Sequence, residues 1–130
     1  ADILSLPFPD GCFDKTVSVT ALEFIADGNA AAAELFRVTR SGGVVVIATL
    51  NSLSPWAQRR REKGEKGHPL FQKIIFRSPE ELSSLGPGKA EVLTAVHFEK
   101  GEDPAAAPEK EARGRDRDTG AFLAARWVKP

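Results

Sequence analysis

The chain has 130 residues, 42% apolar and 28% charged, the balance of an ordinary soluble domain long enough to bury one core. Its 18 basic and 18 acidic side chains cancel, which argues against recruitment to nucleic acid or anionic membrane by a global field. The single cysteine, Cys12, excludes an internal disulfide and fits a reducing cytoplasm, and no apolar run approaches the roughly 20 residues that span a bilayer.

The chain opens at Ala1 without a Met, which suggests absent upstream sequence. Pro7-Phe8-Pro9-Asp10-Gly11 is a turn, with two prolines and an Asp-Gly pair. After it, Lys15 to Thr20 alternates Val17 and Val19 with small polar residues, the pattern of a strand. Asp27-Gly28-Asn29 breaks the apolar stretch that follows, and Asn29 or Asp27 is positioned to cap a helix running from Ala30 to about Arg40. Ala31, Leu35 and Val38 give that helix a buried stripe, and Ser41-Gly42-Gly43 reads as its stop. Val44 to Leu50 is apolar on both sides and rich in β-branched residues, as a central parallel strand between helical layers requires. Strand, helix and strand make a right-handed βαβ unit.

From Asn51 to Gly67 the character changes. Pro55 suits the first turn of a polar helix carrying Arg59, Arg60, Arg61, Lys63 and Lys66. Ser78-Pro79-Glu80-Glu81 starts a second short helix with a capping box. Lys89 to Phe98 alternates again, and Gly120 to Val128 is a last strand able to pair with it antiparallel. Between them, residues 99–119 are rich in charge, Pro and Ala, and a mobile surface loop is expected there. The sum is an α/β domain over residues 1–130 with a sheet of about four strands. Its open edge favours dimerisation or strand exchange if nothing covers it.

The run from Ala1 to Asp14 (ADILSLPFPDGCFD) resembles the "D-A-x-x-L-P-F-x-D-x-S-F-D" stretch of the class I S-adenosylmethionine-dependent methyltransferases, in their type 11 (UbiE/UbiG-like) group. Val17 to Phe24 is similar to that family's fourth strand and following loop, and Ala33 to Gly43 to its "E-x-x-R-V-L-K-P-G-G" helix and turn. Val44 to Asn51 resembles its fifth strand, residues 78–85 its closing helix, and the last two strands its sixth and seventh, the last antiparallel. The resemblance therefore implies the C-terminal portion of a Rossmann-like methyltransferase sheet, with residues 52–77 as a substrate-covering insertion.

It also implies S-adenosylmethionine as cofactor and a small-molecule methyl acceptor as partner, without nucleic acid. Asp2 and Ile3 would flank the adenine, Asp2 accepting from its exocyclic amine, while Thr20, Ala21 and Leu22 would line the sulfonium side. Glu23 is the lone charge of an apolar stretch, equally suited to the cleft or to solvent. For the acceptor, the candidates are Trp56, Arg60 and His68, the tryptophan as an aromatic cover beside cations that suit an anionic or lipid-like group. A solvated basic helix with Trp56 packed on the sheet is the plainer reading of the same residues. His97, on an edge strand, is expected to be structural. No metal-ligand spacing stands out, and no residue declares itself catalytic.

One departure bounds the expectation. The family grips the methionine and ribose with a glycine-rich loop after its first strand, and no G-x-G-x-G occurs here between a strand and a helix. Gly42-Gly43 precedes a strand, and Gly86-Pro87-Gly88 is a turn. These 130 residues alone are expected to hold the cofactor weakly or not at all. A non-catalytic association module built on the open sheet edge is the alternative.

Overall fold

A computed structural model describes residues 1–69, 73–98, 102–114 and 117–130. Four strands, β1 (Phe13–Val19), β2 (Thr39–Leu50), β3 (Glu91–Ala95) and β4 (Phe122–Val128), form one sheet in the order β1-β2-β4-β3. β1 and β2 run parallel, and β4 lies antiparallel between β2 and β3. The C-terminal ends of β1, β2 and β3 therefore share one end of the sheet with the start of β4. The expected βαβ unit and antiparallel hairpin are both present.

Helix α1 (Gly28–Val38) links the parallel pair. Asp27 caps it, its Oδ1 accepting from Ala30 N at 3.0 Å, so of the two proposed caps Asp27 is the one used. α1 buries Ala31, Ala32, Leu35 and Phe36 on the sheet face formed by Val45, Ile47, Leu123, Ala125 and Trp127. Helix α3 (Pro79–Ser83) adds Leu82 to the same core and carries the expected capping box on Ser78 and Glu81.

Ser41-Gly42-Gly43 is not the helix stop that its composition suggests. α1 ends at Val38, Thr39 is already extended, and β2 runs through the glycines. The register explains why they are needed. Phe13 pairs with Thr39 but Lys15 pairs with Val44, so β2 bulges here. A Cβ on Gly43 would lie 2.6 Å from the Asp14 carbonyl oxygen, and Gly42 has a φ of 76°.

The expected loop over 99–119 is also corrected. Its described part holds a 3-10 turn at Pro104–Ala106 running into helix α4 (Ala107–Gly114). Asp103 starts the turn by accepting from Ala105 N, and the alanine-rich run has enough helix propensity to continue it. Residues 99–101 and 115–116 lie outside the described residues, as do 70–72 of the basic insertion.

The sheet's two faces differ. The face away from α1 carries Val17, Val19, Leu93 and Val128, which are 63%, 54%, 71% and 54% exposed. Their register shows that they belong to one surface, since Val19, Ala48, Ala124 and Leu93 align across all four strands. β1 offers an unpaired edge at its border. Among the described residues, no helix is long and apolar enough to cross a membrane.

The opening segment is tied to α1 through one arginine. Arg37 donates to the carbonyls of Leu6 and Phe8 and to the carboxylates of Glu34 and Asp10. Glu34 in turn accepts from Leu6 N at 2.8 Å. The Arg37 hydrogen bond, with help from the Leu6 N–H, holds the Glu34 carboxyl down to about 2. The "E-x-x-R" spacing thus positions the segment that contains Asp2 and Ile3.

Candidate functional site

In open α/β sheets, ligands sit outside the C-terminal ends of the parallel strands. At that end β1 passes into Thr20-Ala21-Leu22-Glu23, a 3-10 turn at Leu22–Phe24, while β2 passes into Asn51-Ser52. Thr20 has a φ of 49°, a left-handed conformation costly for a β-branched residue, and its N–H donates to Ala48 O at 2.9 Å. Thr20 is exposed and Ala21 half-buried at the lip of the crevice.

Leu22 anchors this turn. Its side chain is fully buried in the core, and its carbonyl accepts from Arg77 Nη1 at 2.8 Å and from Ile25 N. These contacts seat the turn at the end of β1. Asp2 is exposed and uses Oδ1 to accept from Leu4 N at 2.9 Å, as a turn acceptor does. Ile3 packs against the core beside it.

Three residues that build this end were weakly signalled or unsignalled in the sequence. Glu23 is 2% exposed, and Thr49 Oγ1 donates to its Oε2 at 2.9 Å, which joins the two strand ends. Arg77 is buried, donates through both terminal nitrogens to the Leu22 and Ile25 carbonyls, and lies so close to Gly28 that a Cβ there would meet Nη2 at 2.7 Å. Burial pulls the Arg77 guanidinium below its ordinary value, opposed by the charges of Glu81 and Glu23. Asn51, fully buried, donates to the Asp118 and Gly120 carbonyls at 2.6 and 2.8 Å and accepts from Leu53 N at 3.1 Å. A lone Glu in an apolar run was the one available hint. The partners of Arg77 are 55 and 52 residues away in sequence, and no local pattern encodes them.

Ser54 caps helix α2 (Pro55–Glu65), with Pro55 in its first turn. This aims Trp56 back over the sheet end. Its indole Nε1 donates to Phe98 O at 2.7 Å, and the Arg60 guanidinium carbon lies 5.6 Å from the ring centroid. Leu50, Trp56, Arg60, Phe98 and Phe122 line an apolar cavity of about 290 Å³. A second cavity of about 360 Å³ adjoins it through Trp56, Val96 and Phe98. Trp56 and Arg60 are therefore brought together. His68 is not among the residues lining the cavity: it lies past the C-terminal end of α2, exposed and with its N–H on Lys63 O.

His97 has the structural partners expected of it. Its Nδ1 is 3.0 Å from Glu111 Oε1 and its Nε2 is 3.1 Å from Thr94 Oγ1. Burial raises the Glu111 carboxyl pKa, but hydrogen bonds from His97 and from Val96 N more than offset this and hold it below its usual range.

This arrangement defines a class before it defines a family: a Rossmann-like α/β sheet with a ligand crevice at its strand ends. Residues 1–47 match the model of the methyltransferase domain family. The chain is 48% identical over 104 residues to a demethylmenaquinone methyltransferase of Parafrankia, covering 73% of this chain and 41% of that protein. It is 34% identical over 103 residues to 2-methyl-6-phytyl-1,4-hydroquinone methyltransferase of Synechocystis, covering 72% of this chain and 32% of the relative. A crystal structure of an S-adenosylmethionine-dependent methyltransferase from Thermotoga maritima superposes with a TM-score of 0.82 at 22% identity, over all of this chain and 62% of that one. The chain belongs to the class I S-adenosylmethionine-dependent methyltransferases. It spans less than half the length of these two curated relatives.

Proposed function

We propose that these residues form the acceptor-facing part of a methyltransferase that moves the methyl group of S-adenosylmethionine to a small apolar acceptor. The carrying observation is the apolar cavity under Trp56, opening at the same sheet end as the Thr20–Leu22 turn. Methyl transfer needs donor and acceptor held in line, so a fixed aromatic wall beside the cofactor crevice does much of the required work. Trp56 is fixed by its bond to Phe98 O. Asp2, Ile3, Thr20 and Ala21 would meet the cofactor, with Leu22 behind them as support. Trp56 and Arg60 would cover the acceptor. His68, past the end of α2 and outside the cavity lining, is left out of this reading. The two curated relatives are named for aromatic quinone and hydroquinone acceptors, in keeping with an apolar, ring-lined cavity.

The 130 residues hold no glycine-rich loop of the cofactor-gripping type, and we expect them to bind S-adenosylmethionine weakly alone. A second reading, a non-catalytic module that self-associates, is favoured by the exposed face at Val17, Val19, Leu93 and Val128 and by the free β1 edge. One pair of measurements separates the readings: labelled methyl transfer to 1,4-dihydroxynaphthalene and light scattering. Both are run on a form extended ahead of Ala1 by a glycine-rich methyltransferase half. Label in the acceptor, lost on Trp56→Ala mainly through a raised KM, supports the enzyme. A silent extended form that remains a stable oligomer supports the module and sinks the enzyme reading.

A further inference from the structure

The two adjoining cavities differ in chemistry. The first is walled by Leu50, Phe122 and the Trp56 ring. The second is bordered by Lys110, Arg113 and Arg117, with Glu102 as its one carboxylate among the described residues. In a chain whose 18 basic and 18 acidic groups cancel, this is a local excess of positive charge. Lys110 is paired with Glu102 at 2.5 Å, and Arg113 with Glu109. Arg117 is exposed, forms no ion pair among the described residues, and is held by its backbone N–H on Gly114 O.

The partition between the cavities is strained and hydrogen-bonded on both sides. Val96 has a φ of 65°, which a β-branched residue adopts only when its surroundings impose it. Glu111 imposes it by accepting from the N–H groups of Val96 and His97 at 2.9 and 2.8 Å, while Trp56 fixes the Phe98 carbonyl from the other side. Strain of this kind is retained where a ligand needs a set wall.

We infer that this double chamber selects a ligand with an apolar, ring-sized body and an oxyanion. The body is seated against Trp56, Leu50 and Phe122, and the carboxylate or phosphate ester is turned toward Arg117 and Lys110. A guanidinium beside a partly enclosed apolar wall suits such a group, because its fork matches two oxygens and it gives up water more easily than an ammonium does. The inference deepens the acceptor reading above and rests on it for identifying the ligand as the methyl acceptor. The binding itself requires no cofactor.

The test is equilibrium binding to the 130-residue chain, followed by tryptophan emission, with 2-naphthoate, 2-naphthyl phosphate and the neutral 2-naphthamide. Either anion should bind about tenfold more tightly than the amide, the size of one charge-assisted hydrogen bond. That preference should shrink in Arg117→Gln and in Lys110→Gln, and toward ~1 M salt, where the Debye length is ~3 Å. Which anion binds more tightly identifies the oxyanion. Equal affinity for anion and amide overturns the inference, as does a preference untouched in both variants. Absence of methyl transfer by the extended form would instead strike the enzyme reading and leave the measured binding in place.

Discussion

Replacing Trp127 by alanine should cost about 3–5 kcal/mol of unfolding free energy, the range for deleting a buried aromatic side chain from a core. Trp127 is 1% exposed on the central antiparallel strand and stacks edge-on against Phe36 of α1 at a centroid separation of 5.6 Å. Its indole packs so closely on Gly86 that a Cβ there would fall 2.6 Å from Nε1. It therefore joins β4, α1 and the segment after α3. The ring nitrogen has no hydrogen-bond partner among the described residues. Trp127→Phe should accordingly be much milder, about 1–2 kcal/mol, since it removes volume but also an unpaired buried N–H. Urea unfolding of the three forms checks this. Equal losses for Ala and Phe would contradict it.

The second large effect is expected at Asn51. Its amide is the cross-brace between the end of β2 and the segment entering β4, with two donated bonds and one accepted. Asn51→Ala leaves the Asp118 and Gly120 carbonyls without this donor and should cost about 2–3 kcal/mol. Asn51→Asp should be worse at pH 7, because a buried carboxylate would face two carbonyl oxygens. Burial and those oxygens would raise its native pKa above the unfolded value of about 3.9. Stability is then fully present below about pH 3.9 and falls as pH rises through the raised native value. The Asp variant should thus lose ground against Ala as pH climbs from about 4 toward 7. A pH-independent difference between Ala and Asp would contradict this account of the brace.

Much of the architecture was legible because it is local. The Val44–Leu50 run, the α1 stripe, the Ser78 capping box and the alternation within each of the last two strands are encoded within a few residues of themselves. Composition misleads where a local signal has a tertiary use. Ser41-Gly42-Gly43 has helix-stop composition, yet the glycines serve a bulge against Asp14 on the neighbouring strand. The charged stretch after β3 reads as loop by its Pro and charge content, yet Glu111 is fastened to His97 and Val96 and α4 lies beside the sheet.

The candidate site was legible by position rather than by contact. The strand ends were placed correctly, as was Trp56 beside Arg60. Position in the chain puts Leu22 at the crevice, and the burial of its side chain in the core is the part that position does not convey. Arg77, which clamps that turn from more than 50 residues away, had no sequence signature. Buried hydrogen-bond hubs of this kind depend on where distant carbonyls end up, which no spacing rule conveys.

On the proposed function, these residues complete, but do not alone constitute, an S-adenosylmethionine site. Calorimetric titration with S-adenosylhomocysteine tests it directly, on the 130-residue chain and on the form extended by a glycine-rich half. Binding by the extended form, weakened at least tenfold (about 1.4 kcal/mol) or lost in the shorter one, is the predicted result. Absence of binding by a folded extended form, or equal affinity in the two, would contradict it.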